Sequence, residues 1–381
     1  MENEKYAALR KKKKRRQARR LRRLLLTAEC IVAAVLTLVL VGLTKLDNID
    51  HLDLGTVAAN QVSEAAKITL KGYTNIALFG IDNRSNGSFD SGQSDVIMVC
   101  SINNDTKEIH LVSVYRDTLM DVDGNGKYRK CNYAYNHGGP KAAVEMLNRN
   151  LDLDIKDFVS VDFRAVAEAV DAVGGIDLTI TDDEIDPPGH HPGINAYIDE
   201  VADVTGRTAK HVQSGSQHVD GVQATAYCRL RYTASMDFGR AARQRIVLQK
   251  LFEKVKSASL KEQSALIDTL FSHISTSFTT GDLLVLAGAM KDYTIAPTAG
   301  YPFAKSTATP SNTIGSVVVP CNAIDNVKKL YSVLFGDENH EVSSTVENIS
   351  TDIEDLTGLS AEDAVSYDPA YEDASGSSVM K

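Results

Sequence analysis

Asn75-Ile-Ala-Leu-Phe-Gly80, Val96-Ile-Met-Val-Cys-Ser-Ile102 and Ile109-His-Leu-Val-Ser-Val114 decide the fold of this chain. Each run is short, apolar and rich in β-branched residues, so each reads as a strand. Asn103-Asn104-Asp105 between the second and third is a turn signal, which makes those two a hairpin. Downstream, residues 139–150 and Phe163–Val173 read as helices, the second stopped by Gly174-Gly175. Ile176–Ile180 and Ala224–Tyr232 read as strands, and residues 182–220, rich in Pro, His and Gly, as an excursion with little regular structure. Phe238–Lys256 is the clearest helix, because Ile246, Val247, Leu251, Phe252 and Val255 recur at helical spacing. Further helices are expected at 259–274, 281–292 and 322–335, with a Val-rich strand at 316–319. Strands interleaved with helices predict a three-layer α/β/α fold, and the early hairpin makes its central sheet mixed.

The flanks carry a second message. Of 381 residues, 43% are hydrophobic and 24% charged, an ordinary globular mixture. Residues 1–23 hold twelve Lys/Arg against two Glu, a charge of +10, so the rest carries −19 of the formal −9. An acidic body argues against nucleic-acid binding. The basic run Lys11–Arg23 ends where an apolar run begins, and Leu24 to Leu43 is twenty residues with Glu29 as its only charge. That is the length a helix needs to cross the hydrocarbon core. The positive-inside rule keeps the N-terminus in the cytoplasm and sends the remainder outside. A cleaved signal fits less well, since its apolar core is shorter and ends in small residues. The expected organisation is a basic cytoplasmic tail (1–23), a transmembrane helix (24–44), a polar stalk (45–72), a folded domain (73–335) and an acidic disordered tail (336–381) in the cell membrane. Cys100, Cys131, Cys228 and Cys321 lie outside the span; their pairing cannot be read from sequence, and no C-x-x-C is present.

The arginines carry the chemistry. Arg229 and Arg231 are two apart on an expected strand, so they share a face with Tyr227. Arg240 and Gln244 share a helix face one turn apart, with Arg243 beside them. A strand, a short loop and a helix N-terminus bearing guanidinium forks suit a phosphate. The bland alternative is a solvated basic face. Arg116 and Asp117 end another strand, Asp82 follows the first, and Asp95 opens the second. Carboxylates facing arginines suggest Mg²⁺ bridging to phosphates; the alternative is that Asp82 and Asp95 are turn and cap residues. Asp121-Val-Asp-Gly-Asn-Gly126 resembles the opening of a calcium loop, but Asn132 stands where the bidentate Glu is needed, so a hairpin turn is the better reading. His190-His191 reads as an exposed loop.

With these residues in place, the chain resembles the LytR-CpsA-Psr family over about residues 73 to 335. The segments, in order, are Phe79-Gly-Ile-Asp-Asn-Arg84, Ser94-Asp-Val-Ile-Met98, Ser113-Val-Tyr-Arg-Asp-Thr118, Lys130-Cys-Asn-Tyr-Ala-Tyr135, Val173-Gly-Gly-Ile-Asp177 and Tyr227-Cys-Arg-Leu-Arg231 with Asp237-Phe-Gly-Arg-Ala-Ala-Arg-Gln244. Tyr115 departs from the family, which usually has Pro there. The resemblance implies a phosphotransferase at the outer membrane face. It would move an anionic glycopolymer, of teichoic acid or capsule type, from a polyprenyl-pyrophosphate carrier in the membrane lipid to a peptidoglycan sugar hydroxyl, releasing polyprenyl phosphate. By match, Asp82 and Asp95 would hold Mg²⁺; Arg116, Arg229, Arg231 and Arg240 would clamp the pyrophosphate; Arg84, Arg243, Gln244 and Tyr227 would bind substrate; and Asp117 would act as a base or orient Arg116. The lipid tail would need an apolar pocket between sheet and helices, which the 238–256 helix could line. Two alternatives remain at this stage: a lipid pyrophosphate hydrolase using the same residues, and a non-catalytic envelope-assembly or regulatory protein.

Overall fold

The computed structural model describes residues 50–82, 88–233, 236–259, 266 and 273–365. The expected basic tail and span lie outside these residues, as does Arg84, and so does most of the expected 259–274 helix. Among the described residues no helix is long and apolar enough to cross a membrane.

The chain starts with β1 (Asp50–His51) and α1 (Glu64–Lys71), whose N-cap Ser63 accepts from the Ala66 amide. Leu54, Ala66 and Leu70 are buried in the main core, and β1 pairs with a later strand. This corrects the polar stalk expected over 45–72 for residues 50–72, where a few apolar residues at the right spacing dock the segment onto the sheet; 45–49 lie outside the described residues. Next come β2 (Tyr73–Asp82), β3 (Gln93–Asn103) and β4 (Glu108–Val114), an antiparallel meander at the apolar runs that decided the fold. The register of β2 against β3 breaks after Gly80, which faces Val96, while Ile81 faces Ser94. Asp95 is the extra residue of a β-bulge, and a bulge bends its strand and re-aims a side chain.

A hairpin follows, β5 (Leu119–Asp121) and β6 (Tyr128–Lys130), its turn held by the Asp121 carboxylate on the amides of Asp123 and Gly124. Then come α2 (Asn132–Leu151), kinked at Gly139-Pro140, β7 (Asp157–Asp162) and α3 (Phe163–Ala172). The hairpin of β8 (Ile176–Ile180) and β9 (Gly215–Val219) encloses α4 (Asp182–Ile185) and α5 (Ile194–Thr205), so the 182–220 excursion is more regular than its composition suggests.

Residues Gly221–Arg229 form helix α6, where a strand was expected. The reason is local. Asp220 accepts from the Gln223 amide at 2.9 Å, and the Gln223 side chain accepts from the Asp220 amide at 2.8 Å. This capping box starts a helix, and burial of its apolar face outweighs β propensity. The long helix α7 (Met236–Ser257) follows as expected, then β10 (Ile274–Thr276), α8 (Thr280–Gly288), β11 (Thr294–Ile295), β12 (Ala299–Tyr301), β13 (Lys305–Ala308), β14 (Val317–Pro320), α9 (Ala323–Phe335) and α10 (Ser344–Thr357).

The main sheet runs β1-β10-β7-β2-β3-β4-β11, with β12 also on β4. It is mixed: β2 is parallel to β7 and antiparallel to β3. On one face Phe79, Val99 and Val112 pack with Leu147 of α2 and Tyr331 of α9. On the other, Ile76, Cys100 and Leu111 pack with Leu248 and Phe252 of α7 and Leu283 of α8. Helices on both faces give the expected layering.

The tail is also corrected. Val346, Ile349 and Ile353 are buried on one face of α10, and Ser343 caps it. The Asp152 carboxylate accepts from the Ser343 amide at 2.7 Å and its hydroxyl at 2.6 Å. The acidic, Ser-rich composition concealed an amphipathic helix; residues 366–381 lie outside the described residues. All four described cysteines are buried and free, and burial pushes the thiols of Cys100 and Cys228 up to about 12.

Candidate active site

The ends of β2 and β4, the β3 bulge, the C-terminus of α6 and the first two turns of α7 meet around one cavity of about 210 Å³. Seven residues singled out in the sequence line it: Asp82, Asp95, Arg116, Arg229, Arg231, Arg240 and Gln244. Tyr197, Cys228 and Tyr232 complete the wall. Arg229 and Arg231 reach it by a different route from the expected strand alternation. Arg229 ends α6, Leu230 turns extended at φ −58° and ψ 124°, and Arg231 follows on the loop.

Each arginine is held by a carboxylate. Arg116 Nη1 donates to Asp95 Oδ1 at 2.5 Å, and its Nε lies 3.5 Å from Asp117 Oδ2. Arg229 Nη2 donates to Glu200 Oε1 at 2.7 Å. Arg231 Nη2 donates to Asp237 Oδ2 at 3.0 Å, and Arg240 Nη2 lies 3.2 Å from Asp237 Oδ1. These contacts fix long side chains so that their forks are pre-positioned.

The electrostatics call for an anion. Burial pushes the Arg240 guanidinium down, and the neighbouring charge of Arg116 adds to it. Its side chain is 7% exposed. Burial works against Arg116 too, but Asp95 and Asp117 outweigh it and raise its pKa. Burial would raise the Asp237 carboxyl, yet Arg240 and Arg231 hold it below the usual range. Four guanidinium groups and two carboxylates line the cavity, and Asp117, Glu200 and Asp237 contact the arginines from outside that lining.

Tyr115, the departure from the family pattern, has a mechanical use. Its ring meets Phe238 edge-on, centroids 4.6 Å apart, which joins the end of β4 to the start of α7. That contact sets Arg116 against Arg240. Gly300 lies against it, and a Cβ there would run into the Tyr115 hydroxyl.

Asp117 sits behind the wall between two cations, Arg116 and Lys130, whose Nζ is 3.0 Å away. Tyr227 and Arg243 do not line the cavity. Arg243 is buried against Glu184, with Nε to Oε1 at 2.6 Å, and also donates to the Leu230 carbonyl and the Thr233 hydroxyl. Tyr227 is buried beneath it, the guanidinium 5.7 Å from the ring centroid. Sequence reasoning passed over Asp237, Glu200 and Lys130. Asp237 was readable, because it stands one turn before Arg240; Glu200 is brought in only by the fold.

Cys228 and Gln244 also line a second cavity of about 220 Å³, between the sheet and α7. Its walls are apolar, including Leu78, Gly80, Val96, Val247 and Leu251. Gly80 is needed there, since a Cβ would lie 2.6 Å from Val96 Cγ2. An apolar chamber therefore adjoins a cationic one, the pairing an amphiphilic phosphate ester requires.

Asp82 and Asp95 fit a hard cation in one way. Among the described residues no three His, Cys, Asp or Glu side chains cluster as a complete metal cage. Mg²⁺ is commonly bound by one or two carboxylates together with substrate phosphates and water. Two carboxylates in an arginine-lined cavity match that donor set.

The LytR_cpsA_psr family model matches residues 47–301. The polyisoprenyl-teichoic acid–peptidoglycan teichoic acid transferase TagU of Enterococcus faecalis is 30% identical over 218 residues, 56% of this chain and 64% of that protein. The protein of the same name from Bacillus cereus is 30% identical over 235 residues, 61% of this chain and 70% of its own. A crystal structure from Streptococcus agalactiae superposes with a TM-score of 0.59 at 22% identity, over 82% of this chain and 98% of that one, a likeness of fold.

Proposed function

The chain belongs to the LytR_cpsA_psr family, and on that premise we propose that it is a phosphotransferase of the outer membrane face. It moves an anionic glycopolymer from a polyprenyl-pyrophosphate carrier to a sugar hydroxyl of peptidoglycan. The observation that carries this reading is the junction of the two cavities. The arginine chamber takes the pyrophosphate, and the apolar chamber beyond Cys228 and Gln244 takes the first units of the lipid.

The hydroxyl oxygen bonds to the phosphorus that bears the polymer. The bond from that phosphorus to the bridging oxygen breaks, and polyprenyl phosphate leaves, taking up the proton that the hydroxyl gives up. Such a transition state is loose, so positioning and charge neutralisation matter most. Arg229, Arg231 and Arg240 bind the phosphate oxygens from the α6–α7 side, and Arg116 from the sheet side. Asp117, between two cations, suits an orienting role better than that of a base: it holds Arg116 and leaves the cavity to substrate. Asp82 and Asp95 would hold Mg²⁺, which supplies further neutralisation of the pyrophosphate.

The test is a calorimetric titration of the intact protein with a polyprenyl-pyrophosphate-linked saccharide. Leu251→Asp places a charge on the apolar wall and is expected to weaken binding at least about tenfold, since burying an unpaired carboxylate costs more than 1.4 kcal/mol. Inorganic pyrophosphate should bind the variant and the parent alike. EDTA is expected to weaken both ligands. Equal lipid affinity in parent and Leu251→Asp, with melting temperatures matched, would remove the apolar chamber from the reading.

A further inference from the structure

A third recess, open and of about 400 Å³, lies beside the arginine chamber and has no part in the reaction as described. Lys127, Arg129 and Lys130 of the β5–β6 hairpin supply its charge, and Gln93, Tyr133 and Asn136 its polar and aromatic surface. No carboxylate lines it among the described residues, although the body of the protein is acidic. Its walls are built. Lys127 Nζ donates to the Tyr133 hydroxyl at 2.7 Å, and the His137 ring stacks on Tyr133 with centroids 3.6 Å apart. Arg129 Nη1 donates to the Tyr128 carbonyl at 2.7 Å.

Two links tie this groove to the chemistry. Lys130 bonds Asp117, which holds Arg116. Gln93 is the cross-strand partner of Asp82. Along the β2–β3 pair the three recesses follow in order. Gly80 and Val96 line the apolar chamber, Asp82 and Asp95 the arginine chamber, and Gln93 the groove. From Val96 to Gln93 is about 10 Å of strand. An in-line displacement puts the attacking oxygen opposite the leaving one. With the leaving lipid phosphate towards Gly80 and Val96, the nucleophile comes from the Gln93 end.

We propose that this groove seats the acceptor, a glycan strand of acetamido sugars carrying carboxylates, whose hydroxyl it delivers to the pyrophosphate. The inference rests on the phosphotransferase reading. Carboxamides match acetamido groups, and Lys127 and Arg129, with no carboxylate among the described lining residues, match an anionic strand, while Lys130 is held by Asp117.

The test uses soluble, uncrosslinked peptidoglycan strands titrated into the intact protein. Lys127→Ala with Arg129→Ala is expected to weaken strand binding about tenfold, the loss of two charge-assisted contacts at an open surface. Lys127→Glu should do at least as much, and both variants should melt with the parent. In turnover the acceptor KM should rise while donor affinity stays constant. Because strand binding is read directly, absence of transfer by the parent would count against the reaction alone. Equal strand binding by parent and variants overturns the groove, and so does a fall in donor affinity with strand binding unchanged.

Discussion

Replacing Arg116 by Ala is expected to lower the turnover number of polymer transfer by about 10²–10³, with the fold retained. That is the usual effect of removing one preorganised donor to the charge that develops in a transition state. Arg116 approaches from the sheet side, while the other three arginines come from the α6–α7 side, so none of them can take its place. Its loss also strips Asp95 and Asp117 of a cation. Asp95 is then freed beside the pyrophosphate, while Asp117 keeps Lys130. Arg116→Lys should recover only part of the rate, because a point charge cannot serve Asp95 and a phosphate oxygen as a fork does. Steady-state transfer with purified donor and acceptor measures this. A variant that keeps more than a tenth of the parental turnover removes Arg116 from the machinery.

Replacing Arg243 by Ala is expected to act on stability first, by about 3–5 kcal/mol, the usual result of leaving one member of a buried ion pair alone. The Arg243 and Glu184 side chains are 4% and 2% exposed. The guanidinium also satisfies the Leu230 carbonyl and the Thr233 hydroxyl, so it ties α4 to the loop that carries Arg231. Glu184 in turn accepts from the Thr181 amide and caps α4. For a domain of this size the loss corresponds to a fall in melting temperature of about 10 °C. Glu184→Ala should give a similar fall. An Arg243→Ala protein that melts with the parent but shows a raised donor KM would restore the substrate-binding role the sequence suggested.

Arg243 shows where reading from sequence stops. Its chemistry was legible, and so was its place on α7 beside Gln244. Its partner was not, because Glu184 is 59 residues away and only the fold joins them. Asp82, Asp95 and Arg116 were legible for the opposite reason. They sit at the ends of runs whose apolar patterning is strong, and strand ends in α/β folds converge. The bulge that sets Asp95 was hidden, since a one-residue register slip leaves no mark on composition. Ala224–Tyr232 was misread as a strand, although Asp220 and Gln223 already spelled a capping box three residues apart. In the tail, Val346, Ile349 and Ile353 carried a helical period that the surrounding Ser, Asp and Glu diluted.

The central claim is that this site transfers a phosphoryl-linked polymer, and one measurement bears on it most directly. The donor is labelled in the phosphate that carries the polymer, then incubated with the intact protein, Mg²⁺ and peptidoglycan strands. The label is expected in a phosphodiester on the glycan, with unlabelled polyprenyl phosphate released in equal amount. Label recovered only as free polymer phosphate, at the same rate with and without glycan, would contradict transfer and make the protein a hydrolase.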